Sequence, residues 1–82
     1  MAETSRTLEL DVRDYHKRGE EPFPAIMKAA TGLEPGDTFI LINSFEPHPL
    51  YRVLSLKGFT HTSEELGPEH FRITFIKGAG GS

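Results

Sequence analysis

A four-residue pattern, Glu-Pro-x-Pro, occurs twice in this chain of 82 residues, as Glu21-Pro22-Phe23-Pro24 and as Glu46-Pro47-His48-Pro49. Each copy sets a carboxylate beside two prolines, with ring-bearing side chains (Phe23, Phe45, His48) inside it or next to it. Carboxylates accept hydrogen bonds and bind cations, imidazoles can ligate metals, and prolines present a pre-ordered surface that a partner contacts at small entropic cost. One reading of these types is a metal site built from His16, Glu21, Glu46 and His48. No His pair shows tight ligand spacing, and solvent-facing histidines are the commoner arrangement, so the metal set is held as an alternative and no metal or cofactor is expected. His61 and His70 are expected to face each other across a final hairpin.

Catalytic constellations fail on inventory. No serine lies in a glycine-flanked elbow, and the dense glycines sit in the last five residues, where no phosphate loop could be built. Glu64 and Glu65 are adjacent, so on a strand they point to opposite faces and cannot act as a carboxylate pair. With no cysteine, thiolate zinc sites, disulfides and cysteine nucleophiles are excluded together. A non-enzymatic protein is expected.

The elements that must carry these residues can be read from periodicity. Leu8, Leu10 and Val12 alternate with Glu9, Asp11 and Arg13, which predicts a strand with one buried face. Asp11 and Arg13 then share a face, either as a simple charge pair or with Arg13 free to contact an anion. Asp14 to Glu21 shows no period and reads as loop. Pro22 and Pro24 suit a first helical turn, where a missing N–H costs nothing, and Ile26, Met27, Ala30 and Leu33 make one apolar stripe. Gly32 is expected at the left-handed position after that helix. Glu34-Pro35-Gly36-Asp37 is turn chemistry, and Thr38 to Ile42 reads as an interior strand. Pro47 and Pro49 open a second helix, with Leu50, Val53 and Leu54 on one stripe and Gly58 at its end. Phe59–Leu66 and His70–Lys77 form a hairpin across Gly67-Pro68.

The order is β-α-β-α-β-β, an α/β (α+β) two-layer sandwich with a four-stranded mixed sheet and two helices on one face. One domain over 7–77 is expected, with an N-terminal tail at 1–6 and a flexible Gly-rich tail at 78–82. If the first two strands are parallel, both Glu-Pro-x-Pro segments lie at the same end of the sheet.

The formal charge of −3 comes from 9 Lys+Arg against 12 Asp+Glu. No basic block tracks a phosphate backbone, which argues against nucleic acid as a partner. There is no run of ~18 apolar residues and no charged-then-apolar leader, so no membrane association and a cytoplasmic location are expected.

Leu10-Asp11-Val12-Arg13, the Pro-Gly-Asp turn before an apolar strand, and Asn43-x-x-Glu46-Pro47-x-Pro49-Leu50 together resemble the bacterial domain of unknown function 2249. That family is regarded as related to the TusA/SirA sulfur carriers, which share the β-α-β-α-β-β sandwich. Such carriers hold a Cys-Pro-x-Pro motif whose cysteine takes persulfide sulfur. The matching stretch here is Glu21-Pro22-Phe23-Pro24, so a carboxylate stands where the thiol would be, and the resemblance implies the scaffold without sulfur relay. The expected function is a protein-binding or regulatory module. Its working surface is Arg13, Glu21, Phe23, Phe45, Glu46 and His48, and its partner is another protein. A small anionic ligand is the alternative. Phe23, Phe45 and Tyr51 either form an exposed apolar patch at this surface or fold over the helix starts as staples.

Overall fold

The alternation of Leu8 and Leu10 with Glu9 and Asp11 produces a strand, β1 (Thr7–Asp11), whose expected buried face is only partly covered, with Leu8 exposed, Leu10 half-buried and buried Val12 just beyond the strand. It is followed by α1 (Arg13–Lys17), α2 (Phe23–Thr31), β2 (Thr38–Asn43), α3 (His48–Leu56), β3 (Phe59–Gly67) and β4 (His70–Lys77). The structure, a computed structural model, describes residues 6–78; the outer parts of both expected tails lie outside them. The fold is α+β, with three helices where two were expected and a four-stranded mixed sheet in the order β1-β2-β4-β3.

The apolar run Thr38 to Ile42 is the interior strand its composition predicts. β2 pairs in parallel with β1, Leu10 beside Leu41, and antiparallel with β4, Leu41 beside Ile73. β3 and β4 form the expected antiparallel hairpin across the Gly67-Pro68 turn. Period-2 alternation puts Phe39, Leu41, Ile73 and Phe75 on one face. These join Ile26 and Ala30 of α2, Leu50 and Leu54 of α3, and Val12, Leu33 and Phe59 in a single buried cluster. Fully burying a side chain of this kind stabilises the fold by ~1.5–3 kcal/mol, so the helix stripes are what the sheet holds.

Four sequence expectations change. Residues Asp14–Lys17, read as loop, belong to the five-residue helix α1, which is too short to display a helical period. Arg13 opens that helix and is not on the strand. Gly32 ends α2 at φ −81°, a right-handed conformation, so the glycine is not required there for a positive φ. His61 pairs with Phe75, and His70 with Gly67, because His70 directly follows the turn whereas His61 lies near the far end of β3 from it.

Asp37 closes the turn before β2. Its carboxylate accepts from the backbone N–H groups of Arg6 (2.9 Å) and Glu34 (2.9 Å) and from Arg6 Nε (3.3 Å). Arg6, assigned to a tail on sequence, is thereby tied to the sheet; its guanidinium also donates to the Gly32 carbonyl. The backbone hydrogen bonds from Arg6 and Glu34, helped by the Arg6 side chain, hold the Asp37 carboxyl below its ordinary value of 3.8. A group with a lowered folded pKa stabilises the native state above its unfolded pKa and loses that contribution as pH falls through the folded one. Urea unfolding should therefore show the wild type ahead of Asp37→Asn at pH 6, with the gap narrowing as pH is lowered below 3.8. A gap that stayed constant with pH would contradict this assignment.

Candidate functional site

Because β1 and β2 run in parallel, the chain leaves both at the same end of the sheet. From that end β1 leads through α1 to the start of α2, and β2 leads to the start of α3. Crevices beyond the carboxyl ends of parallel strands are where open α/β sheets favour ligands. Here the crevice is a groove of about 410 Å³ lined by Glu21, Pro22, Phe23, Phe45, Pro47 and Pro49, with Ile26, Leu50 and Val53 along its walls and His16 and Asn43 beside them. Both Glu-Pro-x-Pro segments thus meet, as parallel pairing of the first two strands predicts.

The prolines work as pairs. Pro22 and Pro47 are the N-cap residues of α2 and α3, and Pro24 and Pro49 occupy the first turn. In each pair the first is buried and the second exposed, so one packs the helix start and the other faces solvent. Neither start has a side-chain cap. Phe23 and Phe45 are 41% and 50% exposed, which makes them a patch and not staples folded over the helix starts.

At the end of β2, Asn43 continues the buried alternation of Phe39 and Leu41 and is only 2% exposed. Its Oδ1 accepts from the Ser44 backbone N–H at 2.9 Å and meets His16 Nε2 at 2.9 Å. The backbone donor identifies that atom as oxygen. Oxygen has no hydrogen to give, so His16 Nε2 is the donor. The His16 ring also lies 5.2 Å from that of Phe45, which links α1 to the start of α3.

The remaining sequence candidates fall elsewhere. Arg13 is engaged by Asp11 through two hydrogen bonds (3.0 and 2.8 Å), which hold the Asp11 carboxyl below its usual range. Arg13 lines a neighbouring cleft of about 440 Å³ with Asp14, His16, Lys17, Ser44, Pro68 and Glu69. That cleft mixes both charge signs, and its arginine is already paired. Glu46 does not line the groove: its Oε1 accepts from Tyr51 Oη (2.9 Å) and Ser63 Oγ (3.0 Å), clamping the start of α3 to β3. His48 stands edge-on to Tyr51, whose ring also stacks on His61 at 3.8 Å between ring centroids. Glu21 and His16 share the groove while Glu46 and His48 belong to the Tyr51 cluster, and among the described residues no three His, Asp or Glu side chains converge on a metal position.

One contributor was missed on sequence: Asn43, which could have been found, since a polar residue ending a buried alternation must be satisfied or functional. His16 was singled out as an alternative metal ligand, but its bond to Asn43 carried no sequence signal, because α1 has no periodicity to place it.

The pattern of the family described as Uncharacterized conserved protein (DUF2249) matches residues 9–77. The chain belongs to that family. The DUF2249 match runs from β1 to the end of β4 and so includes both proline motifs, the groove and the Tyr51 cluster. Comparisons with curated proteins and with solved structures each returned no match.

Burial, reinforced by the hydrogen bond to Glu46, pushes the Tyr51 phenol up to about 12 from 10.0. A folded pKa raised above the unfolded one gives stability that is present below pH 10 and lost as pH rises toward 12. The ultraviolet titration step that disappears in Tyr51→Phe should lie near pH 12, and wild-type stability should fall relative to that variant between pH 10 and 12. A step near 10 would mean that Tyr51 is neither buried nor bonded to Glu46 in solution.

Proposed function

We propose that this DUF2249 chain is a non-enzymatic binding module whose working surface is the groove between the two proline-led helix starts, with another protein as its partner. The observation that carries this reading is that the two separate Glu-Pro-x-Pro segments line one apolar groove whose rim exposes Phe23 and Phe45. Exposed aromatic pairs beside a pre-ordered backbone are what interface centres are made of, because such a surface loses little entropy on contact. The working residues are Phe23, Phe45 and Glu21, whereas Glu46 and His48 support the start of α3 from the side. The scaffold is a two-layer sandwich of the TusA/SirA kind, cytoplasmic and bacterial. Element order and the parallel first strand pair support that scaffold, and the absence of cysteine leaves it without sulfur relay.

A small anionic ligand in the cleft lined by Arg13, His16 and Lys17 is the second reading, and the mixed charge of that cleft ranks it lower. Nucleic acid is ranked below both, since the chain carries −3 and no basic stripe.

Phe23→Ala and Phe45→Ala remove rings that are about half covered and should lower unfolding free energy by no more than ~1.5 kcal/mol, leaving the protein folded. Each should lower capture of the native partner from host extract to roughly a tenth of the wild-type amount or less, the drop set by ~1.4 kcal/mol or more per lost anchor. Undiminished capture by both variants would defeat the reading.

A further inference from the structure

The groove contains one hydrogen-bonding requirement that its apolar walls cannot meet. With Asn43 Oδ1 committed to Ser44 and His16, the unspent part of the amide is Nδ2 with its two N–H groups. Among the described residues nothing accepts from it, and no sealed-off side-chain nitrogen or oxygen lacks a partner, so this nitrogen reaches solvent. At a residue 2% exposed that lines the groove, the solvent it reaches is the groove's. Water satisfies the donor while the groove is open. An occupant made only of hydrocarbon would displace that water and strand the donor at a cost of ~1–3 kcal/mol. The occupant must therefore bring an acceptor to Asn43 and apolar groups to Phe23, Phe45, Leu50 and Val53.

A helix cannot supply that acceptor from the backbone of its middle, where the carbonyls are bonded within it and only a polar side chain could serve, whereas an extended chain carries free carbonyls along its length. The rim adds a sign. Glu21 is exposed and forms no ion pair among the described residues, while its neighbour Glu20 is neutralised by Arg18 at 3.0 Å. An unpaired carboxylate at the mouth disfavours an acidic occupant and favours a cation.

We propose that the groove takes an extended, apolar stretch of a partner polypeptide bearing one Lys or Arg, with a backbone carbonyl of that stretch accepting from Asn43 Nδ2 and the cation lying at Glu21. This rests on the docking reading above and names its chemistry.

The test pans a phage-displayed library of random octapeptides on the full-length chain. Enriched peptides combine apolar residues with a Lys or Arg and are depleted in Asp and Glu. A synthetic copy of the strongest binder shifts the Asn43 side-chain NH₂ pair in nitrogen–proton correlation spectra, together with the backbone signals of Phe23 and Phe45. Asn43→Asp retains an oxygen for Ser44 and His16 but removes the donor, and weakens that peptide about tenfold or more, as loss of one such bond implies. Glu21→Gln brings the affinities of the basic peptide and its neutral counterpart to within about twofold of each other. If Asn43→Asp does not fold, a thioamide scan of the peptide gives the same information on wild-type protein: one position, the weakened acceptor facing Asn43, loses affinity.

No enrichment, acidic binders, or full affinity for Asn43→Asp with an unmoved NH₂ pair overturns the proposal. A native partner that still depends on Phe23 and Phe45 in that case leaves the docking surface standing and removes only this chemistry. Capture indifferent to both rings removes the surface itself.

Discussion

The backbone of β2 is hydrogen-bonded along both edges, to β1 in parallel and to β4 antiparallel, and every other element takes its position from that strand. Its alternate side chains Phe39 and Leu41 form the floor on which α2 and α3 settle. Its last residue carries the alternation one step further with a polar group. Asn43 can be buried there only because the chain around it answers its oxygen, once from Ser44 and once from α1 through His16. The parallel pairing with β1 is what brings α1 to this end, so backbone topology and side-chain chemistry converge at one residue.

The proline pairs explain why the same end of the sheet is also a recess. A helix start normally recruits a serine, aspartate or asparagine to cap its free N–H groups. Neither α2 nor α3 does so; both rely on proline, which fixes φ and removes a donor in place of capping it. Two such starts side by side leave apolar rings and exposed aromatics where polar caps would otherwise crowd. Glu46 completes the arrangement from outside the recess, holding Tyr51 and Ser63 so that α3 begins at a set distance from β3.

Much of this was legible from residue order. The strand alternation at Leu8 and Leu10, the continuous run ending at Ile42, the two proline-led stripes and the Gly67-Pro68 turn each correspond to an observed element. The meeting of the two Glu-Pro-x-Pro segments followed from parallel pairing alone. What escaped was short or long-range. Five residues of α1 cannot show a 3.6-residue period, and the partners of Glu46 lie 5 and 17 residues away, on a helix and on an edge strand. Arg13 was a plausible anion contact by type, but its neighbour Asp11 takes both faces of its fork. Four candidate ligands by composition were divided by the fold between the groove and the Tyr51 cluster.

The order β1-β2-β4-β3 leaves β3 on the outside of the sheet, nine residues long and exposed along most of its length. A strand in that position is a template for other chains, since one row of its backbone groups has no neighbour within the sheet. Glu64 and Glu65 sit in its middle on opposite faces, and the bulge beside Gly67 bends its far end. Glu64 is neutralised by Arg72 at 2.7 Å, which ties that face of the margin to β4, while Glu65 carries its carboxylate on the other face with no ion pair among the described residues. The same two residues that cannot cooperate as catalytic acids because they point apart therefore give the margin an ion pair on one face and a lone charge on the other, the kind of charged edge that discourages strand addition by a neighbouring molecule.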